Sequence, residues 1–261
     1  MPILHLIRAY VLHKLYAINE FSLHSPFLYN FYTECFRNPK KIQFNIEIEK
    51  LRKKLIDNQS KIKIADMGAG SKISPAVNRS ISSIATRGLT SARYSILFQK
   101  IIRYMDFKEI LELGTSFGIH SLYMSSAHPE THVTTIEGSS SIAKIARNNF
   151  KVLNITNIDL TEGNIDQVLP QYLKSTNKID FVYIDANHTY QSTISYYKQL
   201  LPHLSQKAMI VIDDIYWSGE MTNAWKWIMK DSSGTIYIDI FQCGLVLFND
   251  QLPPGHYRFE Y

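Results

Sequence analysis

Cysteine is nearly absent: the 261 residues hold two, Cys35 and Cys243. Two cannot build a disulfide framework or a cysteine-based metal centre, so both are expected as small buried hydrophobes. Long apolar runs are also missing, and none reaches the roughly 20 residues that cross a bilayer. The apolar start, Met1 to Glu20, is interrupted by His5, Arg8, His13 and Lys14 and has no small-residue cleavage site. It reads as an amphipathic helix rather than a signal peptide. No membrane partner and a cytoplasmic setting are therefore expected. Acid is missing from residues 67–105, whose charged side chains are Lys72, Arg79, Arg87, Arg93, Lys100 and Arg103. A solvated basic helix face is the first reading of that stretch, and a hold on an anionic substrate the second. Internal repeats and low-complexity segments are absent. What remains is ordinary globular composition, 45% hydrophobic and 20% charged. The net charge of +5 permits an acidic partner without requiring one.

Apolar periodicity then organises the chain. Short apolar runs near 109–113, 132–136, 157–161, 180–184 and 208–212 read as strands. Helical spacing falls between them, near 118–127, 139–152, 165–174, 189–201 and 218–230. A hairpin closes the pattern: Thr235 to Ile240, a Cys243-Gly244 turn, then Leu245 to Phe248. Such β–α alternation implies a parallel sheet with right-handed crossovers. The N-terminal part is helical and aromatic. Leu4, Ile7, Val11, Leu15 and Ile18 keep the spacing of one buried helix face. Pro26 opens a second helix carrying Phe27, Tyr29, Phe31 and Tyr32, a charged third helix runs from Ile46 to Leu55, and another spans 91–105. Residues 1–87 are read as a helical extension or cap, suited to a substrate pocket or a homodimer face, and 88–261 as the main domain.

The informative stretch is Glu112-Leu-Gly114-Thr115-Ser116-Phe-Gly118, a strand, a glycine turn and a helix start. Gly114 permits a tight turn and close ligand approach, and backbone N–H groups are unpaired at the helix start. A dinucleotide fingerprint would need a glycine between these two, and here none stands there. Glu112 would repel a pyrophosphate and suits a ligand with an ammonium group. Glu137 ends the next strand, 19 residues after Gly118 and ahead of Gly138 and Ser139. From there an acid accepts both hydroxyls of a ribose. Asp66, Gly68 and Gly70 imitate the same corner, but no acid follows at the required distance.

These residues resemble the class I S-adenosylmethionine-dependent methyltransferases. The resemblance covers about residues 88–250. It implies an α/β fold: a Rossmann-like doubly wound, seven-stranded sheet, mostly parallel, with an antiparallel C-terminal hairpin strand, here behind an N-terminal helical extension. It implies S-adenosyl-L-methionine as cofactor, held by Glu112, Gly114, Thr115, Ser116, Gly118, Glu137, Gly138, Ser139 and Asp185, with Asn164 or Asp166 facing the adenine amino group. Asp185, Asp213 and Asp214 each follow an apolar strand, and three carboxylates suit Mg²⁺ or another divalent cation. Here the resemblance narrows to O-methyltransferases of the catechol and caffeoyl-CoA type, whose metal ligands fall on those positions. This chain departs in having Asp214 where that family usually has Asn. His188 stands where catechol-type enzymes carry the lysine assigned as general base. Asp185, His188 and Asp213 are accordingly the catalytic candidates, with Asp213 as base if no metal is bound. Tyr216, Trp217 and Trp225 are read as an acceptor-pocket wall or as core.

The expected partner is a small-molecule acceptor, aromatic or anionic. A nucleic-acid acceptor is disfavoured, because amino-methylating enzymes carry an Asn/Asp-Pro-Pro-aromatic motif where this chain has Asp185-Ala-Asn-His188. A protein substrate, a nicotinamide dehydrogenase and a non-catalytic binding protein are the further alternatives.

Overall fold

The computed structural model describes residues 3–37, 45–64, 77–176 and 178–261. An eight-stranded sheet has the order β10-β8-β9-β7-β6-β3-β4-β5, and β1 and β2 form a separate antiparallel pair. The chain packs as two compact units, Pro39–Tyr172 and Met1–Asn38 with Leu173–Tyr261. The expected division at 87/88 does not coincide with this one, because the first 38 residues group with the C-terminal strands.

The unit of residues 39–172 begins with α3 (Ile46–Asp57), β1 (Lys61–Ile64), β2 (Val77–Ser80), α4 (Ile81–Gly88) and α5 (Ala92–Met105). It continues with β3 (Glu109–Leu113), α6 (Ile119–Ser125), β4 (His132–Glu137), α7 (Ser140–Val152), β5 (Ile158–Glu162) and α8 (Ile165–Leu173). Helix starts carry their caps. Asn45 Oδ1 accepts from Glu47 N and Ile48 N, and Ser91 Oγ accepts from Tyr94 N. Strands β3, β4 and β5 pair in parallel. Ile48, Leu51, Phe117, Leu122, Tyr123 and Phe150 are among the residues that form the core here. The decoy residues Asp66, Gly68 and Gly70, together with Lys72, lie outside the described residues.

The other unit holds α1 (Ile3–Tyr16), α2 (Pro26–Cys35), β6 (Ile179–Ile184), α9 (Tyr190–Leu200), β7 (Leu204–Ile212), α10 (Gly219–Lys230), β8 (Ile236–Asp239), β9 (Gly244–Phe248) and β10 (Gly255–Arg258). Pro26 sits in the first turn of α2 behind the Ser25 cap. β6 and β7 pair in parallel and are almost wholly apolar and buried where they pair, the pattern of a strand covered on both faces. The C-terminal hairpin forms as expected, with β9 antiparallel to both β7 and β8. The expected seven strands become eight, because β10 joins β8 in parallel. Among the described residues no helix is long and apolar enough to cross a membrane.

Helix α1 corrects an expectation. Leu4 and Leu15, placed on a buried face by their spacing, are 79% and 70% exposed, and Ile7 and Val11 are exposed too. The inward stripe is His5, Ala9, His13 and Ala17, one helical turn apart, with His13 the most buried. The reason is polar. His13 Nδ1 lies 3.1 Å from Asp239 Oδ1, and its Nε2 lies 3.2 Å from the Phe259 carbonyl. Both partners are acceptors, so they draw the ring's N–H inward. Asp239 also accepts from Tyr216 Oη at 2.5 Å, Arg258 Nε at 3.3 Å and Phe241 N at 2.8 Å. Burial pushes this carboxyl up, but the donors, led by His13 and Tyr216, hold it below its ordinary value. Beyond α1, Ile18 bridges Phe259 in parallel and extends the edge beside β10.

Candidate active site

In the unit of residues 39–172, β3 ends in a turn that only certain residues can make. Gly114 (φ +103°), Ser116 (φ +49°) and Gly118 (φ +78°) all lie at positive φ. At Gly118 a Cβ would run into the Phe150 ring, so this position admits no side chain. Gly114 N and Thr115 N both donate to the Ile136 carbonyl, at 3.0 and 3.3 Å, which binds the turn to β4. The Glu137 carboxylate then joins the ends of both strands. Its Oε2 accepts from Ser116 N and its Oε1 from Ser139 N, each at 2.9 Å. These two bonds fix the carboxylate at the joint between the ends of β3 and β4. Beyond β5, Gly163 N donates to the Glu137 carbonyl at 2.9 Å. Asn164 Oδ1 accepts from Asp166 N at 2.9 Å and caps the first turn of α8, while Asp166 is exposed.

Glu112 sits differently from the other strand-end acids. It is 1% exposed, and its Oε2 accepts from Ser121 Oγ and, at 2.6 Å, from Thr135 Oγ1. Thr115 Oγ1 and Thr135 Oγ1 are 2.6 Å apart. As placed, Glu112 ties β3 to β4 and α6. Gly138 and Ser139 lead into α7, and Ser139 occupies its N-cap.

In the other unit, acids gather beyond β6 and β7. His188 Nε2 lies 3.3 Å from Asp185 Oδ1, in a turn where Asn187 and His188 have φ of +62° and +35°. Non-glycine residues enter that region at a cost, and such strain collects at functional sites. Burial would lower the His188 pKa. Asp185, aided by Asp214 and Asp213, more than offsets this and raises it to about 8. Asp213 is 4% exposed. Its Oδ2 accepts from Tyr183 Oη at 2.8 Å, and its Oδ1 accepts from Cys243 Sγ at 3.0 Å and Asp214 N at 2.9 Å. Burial and the charge of Asp185 raise the Asp213 carboxyl despite these donors. Asp214, at φ +55°, is raised by burial and by Asp213 and lowered by His188. Burial and the neighbouring acids push the Tyr183 phenol and the Cys243 thiol well up, so both remain neutral donors.

The arrangement does not fit the expected divalent-cation site. Asp213 Oδ2 accepts one protein donor and Oδ1 two, which takes three of the carboxylate's roughly four lone-pair sites. Asp214 Oδ1 accepts from Gln242 Nε2 at 3.4 Å. Among the described residues, no group of three or more His, Cys, Asp or Glu side chains is placed to hold a metal. Tyr183, Cys243 and Gln242 went unnoticed as site residues in the sequence. The one available signal was a hydroxyl in the otherwise apolar strand Phe181-Val-Tyr-Ile184. Of the aromatic trio, Trp225 is core, 1% exposed, with its ring where a Gly244 side chain would stand. Trp217 is 54% exposed, and Tyr216 is half-buried against Asp239.

Comparison with known proteins is consistent with this geometry. Residues 111–215 match a family model described as a methyltransferase domain. Solved structures share the fold. An O-methyltransferase from Bacillus cereus, in complex with SAH, superposes with a TM-score of 0.58 at 16% identity, over 82% of this chain and 95% of that one. The SAH-bound methyltransferase PaMTH1 of Podospora anserina gives 0.56 at 18% identity, over 80% and 97%. The O-methyltransferase TomG of Streptomyces achromogenes, involved in tomaymycin synthesis and in complex with SAM, gives 0.53 at 20% identity, over 62% and 82%. A curated relative, an uncharacterized RNA methyltransferase of Protochlamydia amoebophila, is 35% identical over 79 residues, 30% of this chain. The chain matches only 18% of that relative's length.

Proposed function

We propose that this chain, a class I S-adenosylmethionine-dependent methyltransferase by its domain and its fold, moves a methyl group to a hydroxyl oxygen of a small molecule. The observation that carries the cofactor assignment is the Glu137 carboxylate at the end of β4, pinned by the backbone N–H groups of Ser116 and Ser139 beside the glycine turn, the position from which an acid reaches a ribose diol. The Gly114 turn lets the backbone approach the amino-acid end of the cofactor. Asn164 or Asp166, at the start of α8, faces the adenine amino group. The cofactor supplies an electrophilic methyl on a sulfonium.

The protein's own task is to orient the acceptor and to take its proton. His188 is the base: Asp185 holds its Nε2 side, and the raised pKa makes the neutral ring a strong acceptor once formed. Asp213, with both oxygens engaged, is assigned a supporting role, keeping negative charge beside Asp185 and His188. Metal assistance is left out of this mechanism, because the donor set does not fit a cation. A cytoplasmic setting and a homodimer belong to the same reading, the dimer supported by the exposed apolar face of α1. The second reading, an RNA acceptor, is supported by the name of the Protochlamydia relative.

The experiment is calorimetric titration of S-adenosylmethionine into the wild type and Glu137→Ala. The variant is expected to lose about tenfold or more in affinity, because it removes charge-assisted bonds, while its melting temperature moves little. Unchanged affinity would refute the assignment. Transfer of labelled methyl to catechols, to RNA and to protein then separates the acceptor readings.

A further inference from the structure

Within the unit that holds the acid cluster lies a cavity that the methyl-transfer reading does not use. It measures about 320 Å³ and opens between α1, α10, the loop after β7 and β10. Its wall carries Arg8, Lys226 and Arg258, with His5, Leu12 and Tyr216, and no acid is among its lining residues. The acid behind it is Asp239, whose oxygens already take Arg258, Tyr216, His13 and Phe241 N. Helix α1 itself contains no Asp or Glu. Arg8 and Lys226 show no ion pair among the described residues, and both are exposed.

One of the three cations is also held in place. Asp239 fixes Arg258, and the Arg258 guanidinium stands 5.9 Å from the centre of the Tyr16 ring. His5 Nε2 lies 3.1 Å from Thr222 Oγ1, whose own proton goes to the Ile215 carbonyl at 3.1 Å. His5 therefore donates there and seats α1 against α10. Tyr216 stacks on Phe241 at 5.5 Å, and its hydroxyl is committed to Asp239, so it offers the cavity a ring rather than a donor. Arginine binds a planar or tetrahedral oxyanion by two parallel N–H bonds, and lysine adds a point charge. The volume exceeds what a bare phosphate needs and falls at the lower end of the small-ligand range.

We propose that this cavity binds a small organic anion through its phosphate or carboxylate group, with Arg8, Lys226 and Arg258 as the anion hold and Leu12 and Tyr216 against its apolar part. The site stands independently of the methyl-transfer assignment. Its test is calorimetric titration of phenyl phosphate and of inorganic phosphate into the full chain at low salt. Saturable binding is expected, weakened by about tenfold for each cation removed in Arg8→Gln, Lys226→Gln and the double variant. Lys198→Gln, which removes a cation resting on Trp227, is expected to leave affinity unchanged, and thermal melts confirm that each variant folds. Tighter binding of phenyl phosphate assigns the site to an organic molecule, and equal affinities assign it to free phosphate. Absence of saturable binding by both probes, or a double variant that binds like wild type, would overturn the proposal.

Discussion

Asp213 and Asp239 are equally buried, each 4% exposed, in the same unit of the protein, yet their carboxyls move in opposite directions. Asp239 sits among His13, Arg258, a phenol and a backbone N–H, and it falls below its ordinary value. Asp213 has a phenol, a thiol and a backbone N–H, with Asp185 and Asp214 for company, and it rises. Burial is the largest influence on both and raises both, so the sign is set by whether cations or acids stand nearby. The Asp239 carboxylate is ringed by donors and holds α1, the loop at Tyr216 and β10 together. The Asp213 cluster is short of cations, with His188 its one basic neighbour among the groups that shift these acids. A carboxylate ringed by donors stabilises; one set beside other acids is a group ready to exchange a proton.

The comparison can be broken most directly at Asp239. Asp239→Ala leaves the buried His13 ring and the Arg258 guanidinium without their acceptor, and such losses cost about 3–5 kcal/mol. Thermal unfolding should show a fall in Tm of about 10 °C; a change within two or three degrees would mean that the cluster holds little together. At the other cluster, His188→Gln should lower kcat/KM about 100-fold and leave Tm nearly fixed. The wild-type rate should rise with pH up to about 8, where His188 loses its proton, and the variant should lack that rise. A wild-type profile flat from pH 6 to 9 would remove His188 as base.

Asp213→Asn sharpens the contrast. The folded carboxyl keeps its proton to about pH 6, whereas the unfolded chain releases it near 3.8. Stability is therefore lost as pH rises through that window, and the cost is complete above it. The variant should melt a few degrees higher than wild type at pH 8 and show no gain at pH 4, while methyl transfer falls. For Asp239 the sign reverses: its contribution is present above its unfolded value and disappears only as pH falls through the still lower folded one. Last, EDTA should leave the rate unchanged, since the Asp213 oxygens serve Tyr183 and Cys243. A large loss of rate would show that the carboxylates rearrange around a cation.

Much of this fold could be read from periodicity. The five strands from β3 to β7 and the helices between them begin or end within a few residues of their expected bounds, because buried parallel strands are continuous apolar runs. β10 escaped notice for a physical reason: Gly255-His-Tyr-Arg258 has no apolar alternation and follows Pro253-Pro254, which reads as a turn. Pairing with β8, rather than its own pattern, makes it a strand. Helix α1 shows the opposite failure. Its apolar stripe was plain, but its orientation was set by two histidines whose partners, Thr222 and Asp239, are distant in sequence. The strand-end acids were all visible as acids. Which donors each of them serves, Ser116 N and Ser139 N at Glu137 or Tyr183 and Cys243 at Asp213, depends on contacts that spacing cannot reveal.

The joint between His13 and Asp239 has a consequence for how the protein is made. It closes across 226 residues of sequence, and the edge bridge from Ile18 to Phe259 closes a comparable loop. Contacts this distant form late, since their loop entropy is met before they give anything back. On the ribosome α1 therefore emerges long before its acceptor exists, with leucines outward and a histidine awaiting its carboxylate. Its docking against Asp239 and Phe259 is thus a late step in completing the unit that holds it.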